Sequence, residues 1–176
     1  MELRPLGWLA LALLIAAAQA PSSPSVAQFR TVPPTSLTQF LTGALSVANL
    51  QARASEMIMT RDARVEAKEF AQQAIEFRRK HIEEIVSDAT RHGVKLMSEP
   101  TFEQVAILKN LEPLDLLALS RRYAELQVDA LEFELRTYQT TTDATDPTLK
   151  EFAAKWHPQL VQQLGAARKM LNAVRP

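Results

Sequence analysis

A chain of 176 residues with 47% apolar residues, only four glycines and few aromatic residues has room for one domain with a core, and it favours helices over sheets. Lysine plus arginine equals aspartate plus glutamate at 20 each, which disfavours nucleic acid or an anionic membrane surface as the partner. Cysteine is absent, which excludes disulfide bonds, thiolate metal sites, cysteine nucleophiles and the lipid-modified cysteine of a bacterial lipoprotein.

Residues 1–20 have the three-part pattern of a secretory signal peptide. Arg4 supplies a positive charge, residues 6–18 form an apolar run, and small residues follow. The run is shorter than the roughly 20 apolar residues that a membrane span needs. We therefore expect export to the periplasm, with cleavage after Ala18 or Ala20 and no transmembrane span in the mature chain. Retention of the signal as an anchor is the alternative.

Residues 21–35 contain four prolines among serines, and this composition predicts a disordered spacer. Apolar residues then repeat at three- and four-residue steps, which predicts a single helical domain over residues 36–173. A short extra helix is expected between the second and third long helices. The five segments run over residues 37–59, 63–91, 101–108, 114–139 and 147–171.

Local signals mark the ends of these helices. The segments Ser36–Gln39 and Thr101–Gln104 have the spacing of capping boxes, and Asp146 precedes a proline suited to a first helical position. Gly93 stands where a helix C-cap belongs, and Pro158 predicts a kink in the last helix. Together these signals predict an all-α fold, an antiparallel four-helix bundle.

Motifs for catalysis or metal binding are absent from the sequence. A di-iron centre in a helical bundle needs two Glu-x-x-His motifs, and none occurs here. His81, His92 and His157 share no short spacing, so structural or solvent-facing roles are expected. Neither a nucleophile elbow nor a Gly-rich phosphate loop is found. We therefore expect no enzymatic activity, no cofactor and no metal.

The densest basic run is Arg78–His81, which by itself would suit a small anion patch. Glutamates stand at helical steps from it, at Glu76, Glu83 and Glu84, and favour a lattice of exposed ion pairs. The methionines at positions 57, 59 and 97 are interpreted as core residues.

Several short fragments follow one another in a specific order and spacing. They are Phe40-Leu41-Thr42, Asn49-Leu50, Phe70-Ala71-Gln72, Gly93-Val94, Tyr123, Asp146-Pro147 with Leu149-Lys150, Phe152-Ala153-Ala154-Lys155, and Pro158-x-Leu160. From about Ser36 to Leu171 the chain thereby resembles an exported bacterial ferritin-like family, Domain of Unknown Function 4142. The resemblance implies a ferritin-like four-helix bundle outside the inner membrane, with no settled activity.

Many members of that family carry polar residues facing the bundle interior, and the resemblance aligns positions of this chain with them. Ala52 and Ala54 flank the position of a glutamate, Phe77-Arg78 stands at an Asp-His pair, Leu131-Glu132 at a His-Glu pair, and Gln163 at a histidine. Only Glu132 retains the family residue type. Because an arginine repels a metal ion, an inherited metal site is not expected in this divergent member.

One hypothesis follows from these positions: Arg78 pairs with Glu132 in the interior. The expected function is non-enzymatic, with an unknown envelope protein as the partner. One alternative is a metal-binding or redox protein whose ligands, such as Glu132, Glu134, His81 and His157, meet in three dimensions. Another is a carrier of a small apolar ligand, held where Pro158 loosens the last helix. The oligomeric state is left open.

Overall fold

The computed structural model describes residue 34 and residues 36–97, 99–142 and 146–175. All regular structure within these ranges is helical, without a strand, which confirms the all-α prediction. The expected signal peptide and, apart from Pro34, the expected spacer lie outside the described residues. The helices are α1 (Leu37–Thr60), α2 (Val65–Arg91), α3 (Phe102–Leu111), α4 (Leu116–Thr142) and α5 (Pro147–Val174).

Side chains cap the helix N-termini that the sequence marked. The Ser36 hydroxyl accepts from the backbone N–H of Gln39 at 3.2 Å at the start of α1. Thr101 and Gln104 form a reciprocal capping box at the start of α3, and Asp146 accepts from the first backbone N–H groups of α5. These contacts satisfy N–H groups that have no partner within the helix.

The end of α2 and the middle of α5 show the effects of glycine and proline. Gly93 has a φ of +64°, and beyond it the Val94 N–H donates to the Ala89 carbonyl at 2.8 Å, as in a glycine-terminated helix. Pro158 lies within α5, and the helix continues through it to Val174.

Four pairs of long helices run antiparallel, among them α2 and α5, since Glu84 late in α2 contacts Lys155 early in α5. The short connections after α1 and after α4 reverse the chain, so that α1 packs beside α2 and α4 beside α5. Between these two hairpins, Gln51 in α1 contacts Glu134 late in α4, whereas Arg61 at the end of α1 reaches the Leu114 carbonyl just before α4 begins. This order of contacts makes α1 and α4 antiparallel.

In contrast, α2 and α4 run in the same direction. The backbone N–H of Arg64 contacts Ser120 near the start of both helices, and further along both of them His81 of α2 contacts Tyr138 of α4. Two parallel helices need a long connection, and residues 92–115 provide it with α3 in the middle. This segment crosses from one end of the domain to the other.

The core lies along the centre of the four long helices. Large, fully buried side chains come from every one of them, and α3 contributes Leu111. The aromatic rings of Phe40, Tyr138 and Phe152 pack against one another near the start of α1, with centroids 5.0–6.4 Å apart. No helix in the described part of the chain is long and apolar enough to cross a membrane.

Some apolar residues of the helices and their connections lie at the surface. Val65 is 62% exposed because it is the first residue of α2, where no other helix covers it. Met97, in the connection after α2, is 73% exposed, and Met59 near the end of α1 is 40% exposed. The interpretation of Met59 and Met97 as core residues is therefore wrong, whereas Met57 packs against the core.

Candidate functional site

A group of polar side chains is buried where the four long helices face one another. In α2 the inward positions follow three- and four-residue steps through Ala67, Ala71, Ala74, Arg78, His81 and Ile85, and all six are almost fully buried. The stripe therefore carries an arginine and a histidine into the core. In α1 the matching steps place Gln51 and Ser55 inside, and in α4 they place Gln127 and Glu134 there.

The Arg78 guanidinium forms the centre of this group. Its Nη1 donates to Glu134 Oε1 at 2.9 Å, and its Nη2 lies 2.7 Å from Oε2, so the contact is bidentate. Nη2 also donates to Gln51 Oε1 at 2.8 Å, and the Gln51 amide donates to Glu134 Oε2 at 2.9 Å. Both charged side chains are only 2% exposed. This triad links α1, α2 and α4 through charge-assisted hydrogen bonds.

His81 lies one helical turn from Arg78 and extends the network toward α5. Its Nδ1 is 3.3 Å from Arg78 Nη1, and since a guanidinium can only donate, Nδ1 accepts. The ring proton is then on Nε2, which donates to the Tyr138 hydroxyl at 2.8 Å. The ring also packs on Trp156 with centroids 4.1 Å apart. Burial, and next the neighbouring Arg78, hold the pKa of His81 well below its usual value.

A second set of hydrogen bonds joins α1 to α4 beside the triad. The Ser55 hydroxyl donates to the Gln51 carbonyl at 2.7 Å, so at 2.8 Å it accepts from the Tyr123 hydroxyl. The Gln127 amide donates to the same carbonyl and to the Ser55 oxygen. Burial raises the pKa of Tyr123, and it also raises that of Tyr138. Both phenols are therefore neutral rather than phenolates; Tyr123 donates to Ser55, and Tyr138 accepts from His81.

The hypothesis of an Arg78–Glu132 pair is half right. Arg78 is in the interior, but its partner is Glu134, two residues further along α4. Glu132 lies on the outer side of α4 and pairs with Arg168 of α5 at 2.8 Å. The reason is helical geometry, because residues two apart point to different sides of a helix.

The basic run divides in the same way between the two sides of α2. Arg79 and Lys80 form the exposed ion pairs expected with Glu76, and Arg79 also pairs with Glu83. These pairs lower the pKa of Glu76 to about 2, chiefly through the hydrogen bond from Arg79. Arg78 and His81, by contrast, are core residues, and for them the prediction of an exposed lattice is wrong. His92 is exposed and His157 is half-buried.

The interior does not fit a metal ion. The oxygen atoms of Glu134 and Gln51 and the Nδ1 of His81 all point at a guanidinium, which already supplies the positive charge. A cation placed among them would lie against Arg78 and be repelled. Within the described ranges, no three His, Asp or Glu side chains are grouped so that they could hold a metal. His157 and Glu132 do not join His81 and Glu134 in the interior.

A groove of about 360 Å³ lies between the end of α2 and the beginning of α5. It is lined by Glu84, Asp88, Arg91, His92, Thr148, Glu151, Phe152 and Lys155. Lys155 contacts Glu84 and Arg91 contacts Asp88, so four of the charged side chains that line it form ion pairs. Charged lining of this kind does not suit the small apolar ligand considered from the sequence.

Sequence reasoning missed the uncharged members of the interior network and named Glu134 only as a candidate metal ligand. Gln51, Ser55, Gln127 and Glu134 each occupy a position that continues the apolar stripe of their helix at three- or four-residue steps. That spacing was the available signal, since it places a residue inside whatever its polarity. Apolar neighbours such as Phe133 and Leu135, which are only half-buried, compete with that signal in α4.

Comparison with known proteins gives one match. The model of a family described as "Domain of unknown function (DUF4142)" matches residues 18–170. No curated protein matches the chain, and no solved structure matches it.

Proposed function

The chain belongs to the DUF4142 family, whose description assigns no activity, and we propose that this member is an exported, non-enzymatic binding protein of the cell envelope. The observation that carries the proposal is the Arg78–Glu134–Gln51 triad at the centre of the helices. A reactive centre needs at least one hydrogen-bonding or charged group that can reach a substrate. Here the central groups are engaged with one another and shielded from solvent.

We infer further that the long helices form a ferritin-like four-helix bundle. Two antiparallel hairpins, α1 with α2 and α4 with α5, are joined by a long crossover between the parallel helices α2 and α4. One long crossover is the connection of ferritin-like folds. In this member a guanidinium provides the positive charge among the interior oxygens, so the bundle is independent of metal.

Binding by such a domain would use its outer surface. Exposed apolar side chains cluster around the turns that join α1 to α2 and α3 to α4, where the Arg64 backbone contacts Ser120. They are Met59, Val65, Leu116 and Leu117. Exposed apolar residues grouped in one place are typical of protein contact sites. An envelope protein is therefore the partner we propose, and export by the N-terminal signal would bring the two together.

Elemental analysis of the protein purified from its own envelope tests the metal-free interior. We expect far less than one equivalent of any transition metal per chain, and the same result for an Arg78→Lys variant that retains a positive charge. Stoichiometric metal bound to the wild-type protein would overturn the proposal. The mass of the mature N-terminus, measured on the same sample, tests removal of a signal after Ala18 or Ala20.

Site-specific photo-crosslinking in intact cells tests the contact surface. A photoreactive residue at position 117, in the apolar cluster, should capture one discrete protein. The matched control is position 73, an exposed glutamine on the side of α2. Capture at position 117 and not at position 73 supports the binding role. Equal capture at both positions, or none at position 117, contradicts it.

A further inference from the structure

His81 is the titratable side chain in the interior whose charge can change near neutral pH. It is completely buried, and its two nitrogens contact Arg78 and the Tyr138 hydroxyl. From α5, the rings of Phe152 and Trp156 pack against it. A second proton, on Nδ1, would have to occupy the position where the Arg78 N–H groups now point.

We propose that His81 makes the domain responsive to mild acid, so that between about pH 6.5 and pH 5 the closed helices shift toward an opened form with a protonated His81. In the opened form the contacts of His81 with Tyr138 and Trp156 are lost. Because these contacts tie α2 to both α4 and α5, their loss weakens the packing between the two helical hairpins, which Arg78 and Glu134 continue to join.

The charges around His81 favour this behaviour. Arg78 on the same helix and Glu134 on α4 are the charged groups that face it, at 3.3 and 3.9 Å from Nδ1. Tyr138 on α4 is neutral, and α5 presents only rings. The Glu134 carboxylate would favour a protonated histidine, but it is already bound to Arg78 through both oxygens. The nearer positive charge and the burial therefore dominate.

The direction of the pH effect follows from where the proton binds. An unfolded or opened chain binds a proton at His81 near the ordinary histidine pKa of about 6.5, whereas the closed domain does not. The closed site of His81 therefore contributes to the free energy of unfolding above about pH 6.5, and this contribution declines as the pH falls below that value. The equilibrium constant for opening should rise about tenfold per pH unit.

Other groups act outside this window or in the opposite direction. Hydrogen bonds from Arg64 and from Arg79 hold the pKa values of Glu66 and Glu76 at about 2. In the closed domain these carboxylates therefore stay charged throughout the pH range in which His81 would respond. Burial raises the pKa of Asp129, which makes acid stabilise rather than destabilise the folded domain. A loss of stability that begins near pH 6.5 is therefore a histidine signature.

The experiment uses a variant that leaves the core unchanged. The chain has three histidines, and replacing His92 and His157 by glutamine leaves His81 as the only one. Urea unfolding of the full chain, followed by far-UV circular dichroism from about pH 7.5 to about pH 5, gives the equilibrium constant for unfolding at each pH. This constant includes the proton uptake of His81, because the unfolded chain exposes the ring as the opened form does. We expect the His92→Gln, His157→Gln variant to keep the wild-type dependence of about one proton.

Replacement of His81 itself provides the complementary result. A His81→Gln variant retains a donor for Tyr138 and should lose most of the pH dependence over the same range. If this variant does not fold, the variant with His81 as its only histidine still decides the matter. The proposal would be overturned if the equilibrium constant for unfolding of that variant did not change between pH 6.5 and pH 5. It would also be overturned if a folded His81→Gln protein kept the wild-type dependence of this constant on pH.

Discussion

The guanidinium of Arg78 on α2 and the carboxylate of Glu134 on α4 form a bidentate ion pair in the interior, with N–O distances of 2.9 and 2.7 Å. The two helices are parallel and joined by the long crossover, so the pair connects elements that no short turn holds together. Removing both charges from water is costly, and Gln51 offsets part of this cost by bonding to each partner. The pair therefore fixes how the hairpin of α1 and α2 packs against the hairpin of α4 and α5.

Removing only one partner of this ion pair should strongly destabilise the domain. Arg78→Ala or Glu134→Ala alone leaves a buried charge without its partner, and each is expected to lower the free energy of unfolding by about 3–5 kcal/mol. The apolar triple variant Gln51→Leu, Arg78→Met, Glu134→Leu removes all three groups and should cost much less than either single change. Denaturant unfolding measures these differences. A triple variant as unstable as the single variants would contradict this account.

The surface pair of Glu132 and Arg168 is the matched comparison. Its side chains are 36% and 58% exposed, so a double-mutant cycle should give a coupling of only about 0.2–1 kcal/mol. This coupling should fall further as salt is added, because exposed charges are screened. A cycle between Arg78 and Glu132 should give no coupling. A large value there would restore the pairing first expected from the family positions.

The contrast between these two glutamates shows what the sequence could and could not predict. Helix ends were predictable, since Ser36, Thr101, Asp146 and Gly93 act through contacts within a few residues of themselves. Partners across the core were not, because spacing within one helix does not determine its rotation against another. An error of two residues in α4 was enough to choose Glu132 in place of Glu134.

The polar positions of the core were difficult for a related reason. A glutamine or an arginine in a helix is usually solvent-exposed, and only its place in the three- and four-residue steps indicates burial. For Arg78 the neighbours Arg79 and Lys80 concealed that signal by suggesting a basic surface. The side chains that bond to Arg78 come from α1 and α4, which are far from it in the sequence.

Gln104 should control the attachment of the crossover helix α3. Its side chain completes the capping box with Thr101 and also donates to the Ser46 carbonyl at 2.8 Å and to the Ser46 hydroxyl at 2.6 Å. Gln104→Ala removes both roles and should cost about 1–2 kcal/mol. Hydrogen exchange should quicken over residues 99–111 while the centres of α2 and α4 stay protected. Equal acceleration in all helices would contradict a local role.

Alanine substitution should have opposite effects at different glycines. Gly93 has a φ of +64°, so alanine there meets no neighbour within 4 Å but must adopt a left-handed conformation at a cost of about 1–2 kcal/mol. Gly43 and Gly165 are exposed, lie inside α1 and α5, and also have open space around an added methyl group. Alanine at either should stabilise the domain by about 0.5–1 kcal/mol through helix propensity. Thermal unfolding of the three variants measures the sign of each change. Destabilisation at position 43 or 165 would contradict the open space around an added methyl group there.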